Sequence, residues 1–219
     1  MRPLEQVTSQ PVSRDEELVA SFRSGEKQAF NALVLRYQRE LFHFLVRFMG
    51  NRADAEDVFQ ETWVQVCRSA ENFDPTRRFR PWLFTIAANK GRDFLRNRTR
   101  KSAVPLHAEI DPNAEDTGTF EELMEDDTPP VDRSLIEQEN QAVVQRVIAT
   151  MPGHLRELLA LSYFHRFPYK QIAEIMDVPL GTVKSRLHAA VKEFGDRYSA
   201  AIHEAPDKRH HGSHYYNAA

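Results

Sequence analysis

From Ser102 to Asp132 the chain carries ten Asp or Glu and no Lys or Arg. Its apolar residues follow no helical or strand period, and the run closes on Thr128-Pro129-Pro130. Such a segment repels itself and has too little to bury to offset the entropy of ordering. It reads as a linker with little fixed structure, and it divides the 219 residues into two modules. The charge just upstream has the opposite sign: Pro75 to Lys101 holds nine Lys or Arg against one acid, Asp93. The net charge of -3 averages over this sorting. A basic block is the electrostatic footprint of a polyanion partner, whereas an acidic run is solvated or bound to something basic.

The organisation expected from these blocks is a tail over 1–13, an N-terminal module over 14–101, the linker over 102–134, a C-terminal module over 135–200 and a polar tail over 201–219. Within the first module, Phe30, Leu33, Val34, Tyr37, Leu41, Phe44, Leu45 and Phe48 recur at steps of three and four, which predicts a long amphipathic helix between Gly25 and Gly50. A second helix follows from about Ala53 to Ala70, with Ala55, Val58, Phe59, Thr62, Val66 and Cys67 inward. Asn72 to Arg80 reads as a loop around Asp74-Pro75, and Pro81 fits the first turn of a helix reaching about Arg100. Beyond the linker, Leu135 to Ala149, His154 to Phe164, Tyr169 to Met176 and Thr182 to Arg197 read as four helices. No convincing strand appears. The fold class is therefore all-α, two small helical domains joined by a flexible acidic linker.

The stretch Tyr169-Lys-Gln-Ile-Ala-Glu-Ile-Met-Asp-Val-Pro-Leu-Gly-Thr-Val-Lys-Ser-Arg-Leu-His188 has the layout of a helix-turn-helix. Ala173 is small where two helices cross, and Ile172, Ile175, Val178 and Val183 supply a shared core. Asp177 stands where the turn needs a left-handed backbone, which Asp tolerates better than most residues. Thr182 is positioned to cap the second helix. Lys184, Ser185 and His188, with Arg186 beside them, then lie near the start of a recognition helix, where base edges and phosphates of a major groove are met. By itself this motif is shared with many duplex-binding regulators.

Two surfaces of the N-terminal module call for a partner. Asp54, Asp57 and Glu61 step by three and four along one face of the second helix, with Glu56 and Gln60 close by. A solvated face and a docking face for a basic partner fit this spacing equally. On the last helix, Trp82, Thr85, Asn89, Asp93 and Arg96 form one stripe, and Leu83, Ala87 and Phe94 form a core stripe. Phe73, Arg77, Arg78, Phe79 and Arg80 precede them and Lys90 lies between. Aromatics on which unpaired bases stack, interleaved with cations that track phosphate, suit a single strand.

Other classes are excluded or weakened by what is missing. There is no Gly-rich phosphate loop, nucleophile elbow or cluster of metal ligands at a recognised spacing, so no enzyme, cofactor or metal is expected. His210, His211 and His214 read as part of a solvated tail. No apolar run approaches the roughly 18 residues of a membrane span, and Met1 to Ser13 has no apolar signal-peptide core. A single cysteine, Cys67, rules out an internal disulfide. A cytoplasmic protein without membrane insertion is the expectation.

Taken together, Asp54-Ala-Glu-Asp-Val-Phe-Gln-Glu-Thr-Trp63, Phe73-Asp-Pro with Arg80-Pro-Trp-Leu-Phe-Thr-Ile-Ala-Ala-Asn89, and Pro179-Leu-Gly-Thr-Val-Lys-Ser-Arg-Leu-His188 closely resemble the successive motifs of extracytoplasmic-function sigma factors. The likeness runs over about residues 14 to 198. It implies a non-enzymatic subunit that gives core RNA polymerase its promoter specificity. In the family, the helix carrying Asp54, Glu56, Asp57, Gln60 and Glu61 binds the beta-prime clamp. Phe73, Arg77, Arg78, Phe79, Arg80, Trp82, Asn89, Lys90, Asp93 and Arg96 would read and melt the minus-10 element. Thr182, Lys184, Ser185, Arg186 and His188 would read the minus-35 duplex, in a module that also meets the beta flap. The linker there threads toward the active site along the RNA path. Members are often restrained by an anti-sigma factor, although no residue here identifies one. Two departures stand out: Ala189 and Val191 replace residues that are usually basic, and Asp177 replaces the usual Gly. The rival reading is a regulator that binds duplex operators as a dimer; it leaves the aromatic-basic surface and the linker without a use.

Overall fold

Eight α-helices account for nearly all of the described chain, residues 14–102 and 135–203 of this computed structural model. They are α1 (Asp15–Arg23), α2 (Lys27–Met49), α3 (Arg52–Ser69), α4 (Phe79–Ser102), α5 (Leu135–Thr150), α6 (Gly153–Leu159), α7 (Tyr169–Met176) and α8 (Leu180–His203). A 3-10 turn, Ala70–Asn72, follows α3, and five residues of π-helix, Ala160–Phe164, extend α6. The described residues include no strand. The tail over 1–13, the linker over 103–134 and the histidine-bearing tail beyond 203 lie outside the described residues.

In the N-terminal module the periodic apolar stripe of α2 does what its spacing predicts: Leu33, Tyr37, Leu41, Phe44, Leu45 and Phe48 are all buried. Gly50 ends the helix at φ 83°, a left-handed position that glycine adopts without a Cβ penalty, and its N–H donates to the Val46 carbonyl at 3.0 Å. Asn51 then caps α3, its side-chain oxygen accepting from the Asp54 N–H at 2.8 Å. Ala55, Val58, Phe59, Thr62 and Val66 point inward as expected, and Thr62 satisfies its buried hydroxyl on the Val58 carbonyl at 2.6 Å. Cys67 does not: it is exposed, and Trp63 takes the inner position, because the buried stripe runs through 59, 62, 63 and 66 and then turns to Ala70. Helix α4 approaches α2 closely at Gly91, where a Cβ would stand 2.5 Å from the Phe48 ring. Its first free N–H, that of Phe79, donates to Glu16 of α1 at 3.2 Å.

The C-terminal module is the helical unit predicted, with α7 and α8 forming the helix-turn-helix. Asp177 sits at φ 51°, ψ 53°, in the left-handed region anticipated for it. Ile172, Ile175 and Val183 are buried, while Val178 packs partly against them. Helix α8 begins two residues earlier than expected, at Leu180, so Thr182 lies within the first turn instead of capping it; its N–H donates to the Pro179 carbonyl at 2.9 Å.

The two modules are packed against one another, a contact that no local pattern announces. Phe84 of α4 meets the rings of Phe167 at 4.9 Å and His165 at 5.4 Å. Arg156 of α6 reaches across to the end of α2, donating to the Phe48 carbonyl at 2.9 Å and the Met49 carbonyl at 3.0 Å, and to Ala149 of its own module at 2.7 Å. A cation here satisfies carbonyls that a helix end leaves orphaned and complements the negative end of its dipole.

Candidate nucleic-acid interface

The start of α8 presents an open face. Lys184, Ser185 and His188 are exposed, and Thr182 and Arg186 are partly so. Ser185 donates to the Thr182 carbonyl at 3.1 Å, which orients its side chain within the first turn. The glycine at 181 adds no side chain in front of this turn, and nothing lies within 4 Å of where its Cβ would be. The arrangement leaves cation, hydroxyl and imidazole exposed on the first turns of the helix, where a recognition helix meets a major groove. Val191, by contrast, faces away: it lines an apolar groove with Ile148, Leu159, Tyr163, Phe164 and Phe194. Its difference from the family pattern therefore belongs to that groove, and only Ala189 remains as a candidate lost phosphate contact.

On α4 and the loop before it, the structure separates residues that sequence spacing had grouped. Phe73 and Phe79 are buried, at 3% and 0% exposure, and offer no ring face to a base. This corrects their expected stacking role: their rings are spent on the core, where Phe79 packs on Tyr37 at 5.5 Å. Trp82 is the outermost member of the cluster, half-buried and held by Phe73 at 4.9 Å and Phe79 at 5.7 Å. The buried pair thus works as a support for the one aromatic that reaches the surface. Arg77 and Arg78 are exposed in a loop shaped by Asp74, whose Oδ1 accepts from both the N–H and the hydroxyl of Thr76. Those bonds, the hydroxyl's first, hold the Asp74 carboxyl below its usual range. Asn89, Asp93 and Arg96 are exposed, with Arg96 bonded to Asp93 at 3.1 Å and Asn89 accepting from Arg92.

Arg80 differs from the others in being turned inward. It is paired with Glu40 of α2, donates to the His165 carbonyl at 2.8 Å and lies 3.9 Å over the ring of Phe167. Burial opposes ionisation of Glu40, but hydrogen bonds from His165 and Arg80 and their charges outweigh it and hold the carboxyl at about 2. Burial also lowers the pKa of His165, against the pull of Glu40. The sequence reading placed Arg80 on the nucleic-acid surface; in the structure it is an inter-module residue, because its guanidinium reaches both modules at once.

The acidic face of α3 is likewise divided. Asp57, Gln60 and Glu61 are exposed, and Glu61 stands 3.9 Å from Lys90. Glu56 pairs with Arg52 one turn away at 3.0 Å. Asp54 is largely covered, held by the Asn51 amide and by Arg98 of α4. The functional group that sequence reasoning missed altogether is Arg92 with Glu157. Glu157 is 1% exposed and bonded to Arg92, which also donates to the Ile175 carbonyl at 3.3 Å. Burial pushes the Glu157 carboxyl up to about 7, against the charges of Arg92 and Arg186. Nothing in local spacing marks this pair, since its members are 65 residues apart.

An exposed recognition helix in one module and a basic helix carrying a half-buried tryptophan in the other define a helical DNA-binding protein of two modules. Residues 33–101 match the family described as Sigma-70 region 2, and residues 141–194 match Sigma-70, region 4. RNA polymerase sigma-H factor of Pseudomonas aeruginosa is 33% identical over 194 residues, 88% of this chain and 97% of that protein. ECF RNA polymerase sigma-E factor of Haemophilus influenzae is 35% identical over 179 residues, 80% of this chain and 90% of that protein. CnrH, solved in complex with the cytosolic domain of CnrY, shares the fold at a TM-score of 0.59 and 24% identity, over 86% of this chain and 99% of that one. The chain belongs to the sigma-70 family, in its extracytoplasmic-function group, and is an RNA polymerase sigma factor. The duplex-operator regulator is correspondingly disfavoured.

Proposed function

We propose that this sigma factor docks on core RNA polymerase through the exposed carboxylate face of α3 and reads its promoter at two places. Asp57, Gln60 and Glu61 meet the beta-prime clamp, with Asp54 and Glu56 released from their intramolecular partners on docking. Surface ion pairs of this kind contribute only about 0 to 1 kcal/mol each, so exchanging them for polymerase cations costs little. Lys184, Ser185 and His188, flanked by Thr182 and Arg186, read the minus-35 duplex. Arg77, Arg78, Trp82, Asn89, Lys90, Asp93 and Arg96 receive the opened minus-10 strand, with Trp82 as its stacking plate.

The observation that carries this reading is the combination of both family modules in order with a solvent-facing recognition face on α8. The protein acts where the polymerase is, in the cytoplasm, and none of the described helices is long and apolar enough to cross a membrane. An anti-sigma factor belongs among the partners to be sought. Multi-site run-off transcription from genomic DNA of the source organism, with core polymerase and with or without the protein, tests the proposal. Discrete new start sites sharing upstream sequences are expected; their absence with active core enzyme and folded protein would refute it.

A further inference from the structure

Between α6 and α7 the backbone departs from regular geometry twice in succession. The π-helix Ala160–Phe164 closes with the His165 N–H on the Ala160 carbonyl at 3.0 Å, and Arg166 then stands at φ 51°. Single turns of π-helix recur at functional sites. A residue with a Cβ is strained in the left-handed region, and Arg lacks the short polar side chain through which Asp177 tolerates the same conformation. The turn is firmly held. His165 and Phe167, on either side, are buried, and the Phe167 N–H donates to the Leu161 carbonyl at 3.0 Å. Arg166 itself is exposed.

Strain that a glycine would relieve persists where the side chain has a use. Within the protein this one has none: among the described residues the Arg166 side chain has no hydrogen-bond or ion-pair partner. The same holds for Lys170, exposed in the first turn of α7, which does not pair with Glu174 one turn along the helix. Cations that serve the fold of this module are engaged. Arg156 holds the Phe48, Met49 and Ala149 carbonyls, and Arg197 holds Glu193 and the Thr150 carbonyl.

We propose that Arg166 and Lys170 are a second DNA contact of the C-terminal module, an anchor for backbone phosphates of the duplex whose base edges α8 reads.

Helix α7 is the first of the helix-turn-helix, and such a helix crosses the sugar-phosphate backbone when its partner enters the major groove. Arg166 precedes its first turn and Lys170 lies within it, so both meet phosphate instead of base edges. A guanidinium takes two phosphate oxygens at once, whereas an ammonium acts as a point charge. Contacts of this kind carry no sequence information but fix the register in which Lys184, Ser185 and His188 are presented.

The inference rests on α8 reading duplex DNA, and the test separates the two. Full-length protein is titrated into a fluorescein-labelled, mixed-sequence duplex of about 20 base pairs, since phosphate contacts need no particular sequence. Anisotropy is read at salt concentrations from about 0.05 to about 0.2 M. One phosphate contact steepens the log-log salt slope by about 0.9, which is about eightfold in affinity at about 0.1 M salt. Arg166→Gly and Lys170→Ala are each expected to lose that much affinity and slope, and Arg166→Lys to keep the slope. Arg166→Gly also relieves the strain, so its thermal midpoint should rise by about 3 °C. A gain in stability with a loss of binding is the reverse of what a folding defect produces. Unchanged affinity and slope in both Arg166→Gly and Lys170→Ala overturn the anchor. If Lys184→Ala weakens binding in the same assay, only the anchor has failed; if it does not, the assignment of α8 to duplex DNA has failed with it.

Discussion

Helices α4 and α8 are each 24 residues long, and each carries the residues assigned to nucleic acid in its module, yet they meet the rest of the chain in opposite ways. On α8 Lys184, Ser185 and His188 stand in solvent from the first turns, with Thr182 and Arg186 partly covered. On α4 Arg96 is exposed, Arg98 pairs with Asp54 of α3, and Arg80 and Arg92 reach the C-terminal module. Basic character therefore does not by itself mean readiness. A cation whose neighbours are water is available at once, whereas one held by a buried carboxylate is available only after a conformational step.

The comparison breaks most visibly at the contact between the modules. Arg156→Ala leaves the Phe48, Met49 and Ala149 carbonyls without their charged donor and is expected to cost about 3 kcal/mol of stability in urea unfolding; a loss no larger than that of an exposed surface substitution would show the tether to be idle. Lys184→Ala touches nothing inside the protein. It should leave unfolding unchanged and cost about 2 kcal/mol of minus-35 binding by holoenzyme if the amine meets a base edge. Equal loss on every DNA sequence would mean a phosphate contact instead. Trp82→Ala should spare duplex binding and weaken strand capture by about 1 kcal/mol, the low end for one stacked base because the ring is half-buried. A 2-aminopurine probe near the minus-10 element reports it, and normal opening would remove the tryptophan from the site.

Two smaller effects sharpen the contrast. With Ala189 in place of a basic residue and Val191 turned into the apolar groove, the salt dependence of minus-35 binding should be shallower by about 0.9 per missing phosphate contact than in a relative basic at position 189. Glu157 and His165 titrate in opposite directions. Burial in the folded protein raises the pKa of Glu157 to about 7, so the folded protein binds a proton that the unfolded chain has released, and that contribution to stability is lost as the pH rises from about 4.5 through 7. His165 acts oppositely: burial lowers its pKa, so its contribution is lost as the pH falls below about 6.5. Stability in urea unfolding should therefore fall between about pH 6.5 and pH 7 in the wild type and stay flat there in Glu157→Gln.

Much of this organisation was readable without coordinates. The three-and-four spacing of α2 named its core face, and the sequence around Asp177 announced a left-handed turn that the backbone adopts. These are local properties, set by periodicity, turn chemistry and electrostatics within a few residues. What failed was any assignment that depended on which face met which neighbour. Phe73, Phe79 and Arg80 were placed on the surface by composition, and the structure turns them inward; Cys67 was placed inside, and it is exposed.

The sequence by itself thus determined the two helical modules, the helix-turn-helix and its exposed recognition face, because those follow from short-range patterns. Only the tertiary structure decided that Arg92 meets Glu157, that Arg156 closes the end of α2, and that Trp82 alone of its aromatic cluster reaches solvent. Those contacts join residues far apart along the chain, and their energy comes from burial and from satisfying orphaned polar groups. No local pattern encodes which distant partner will do so.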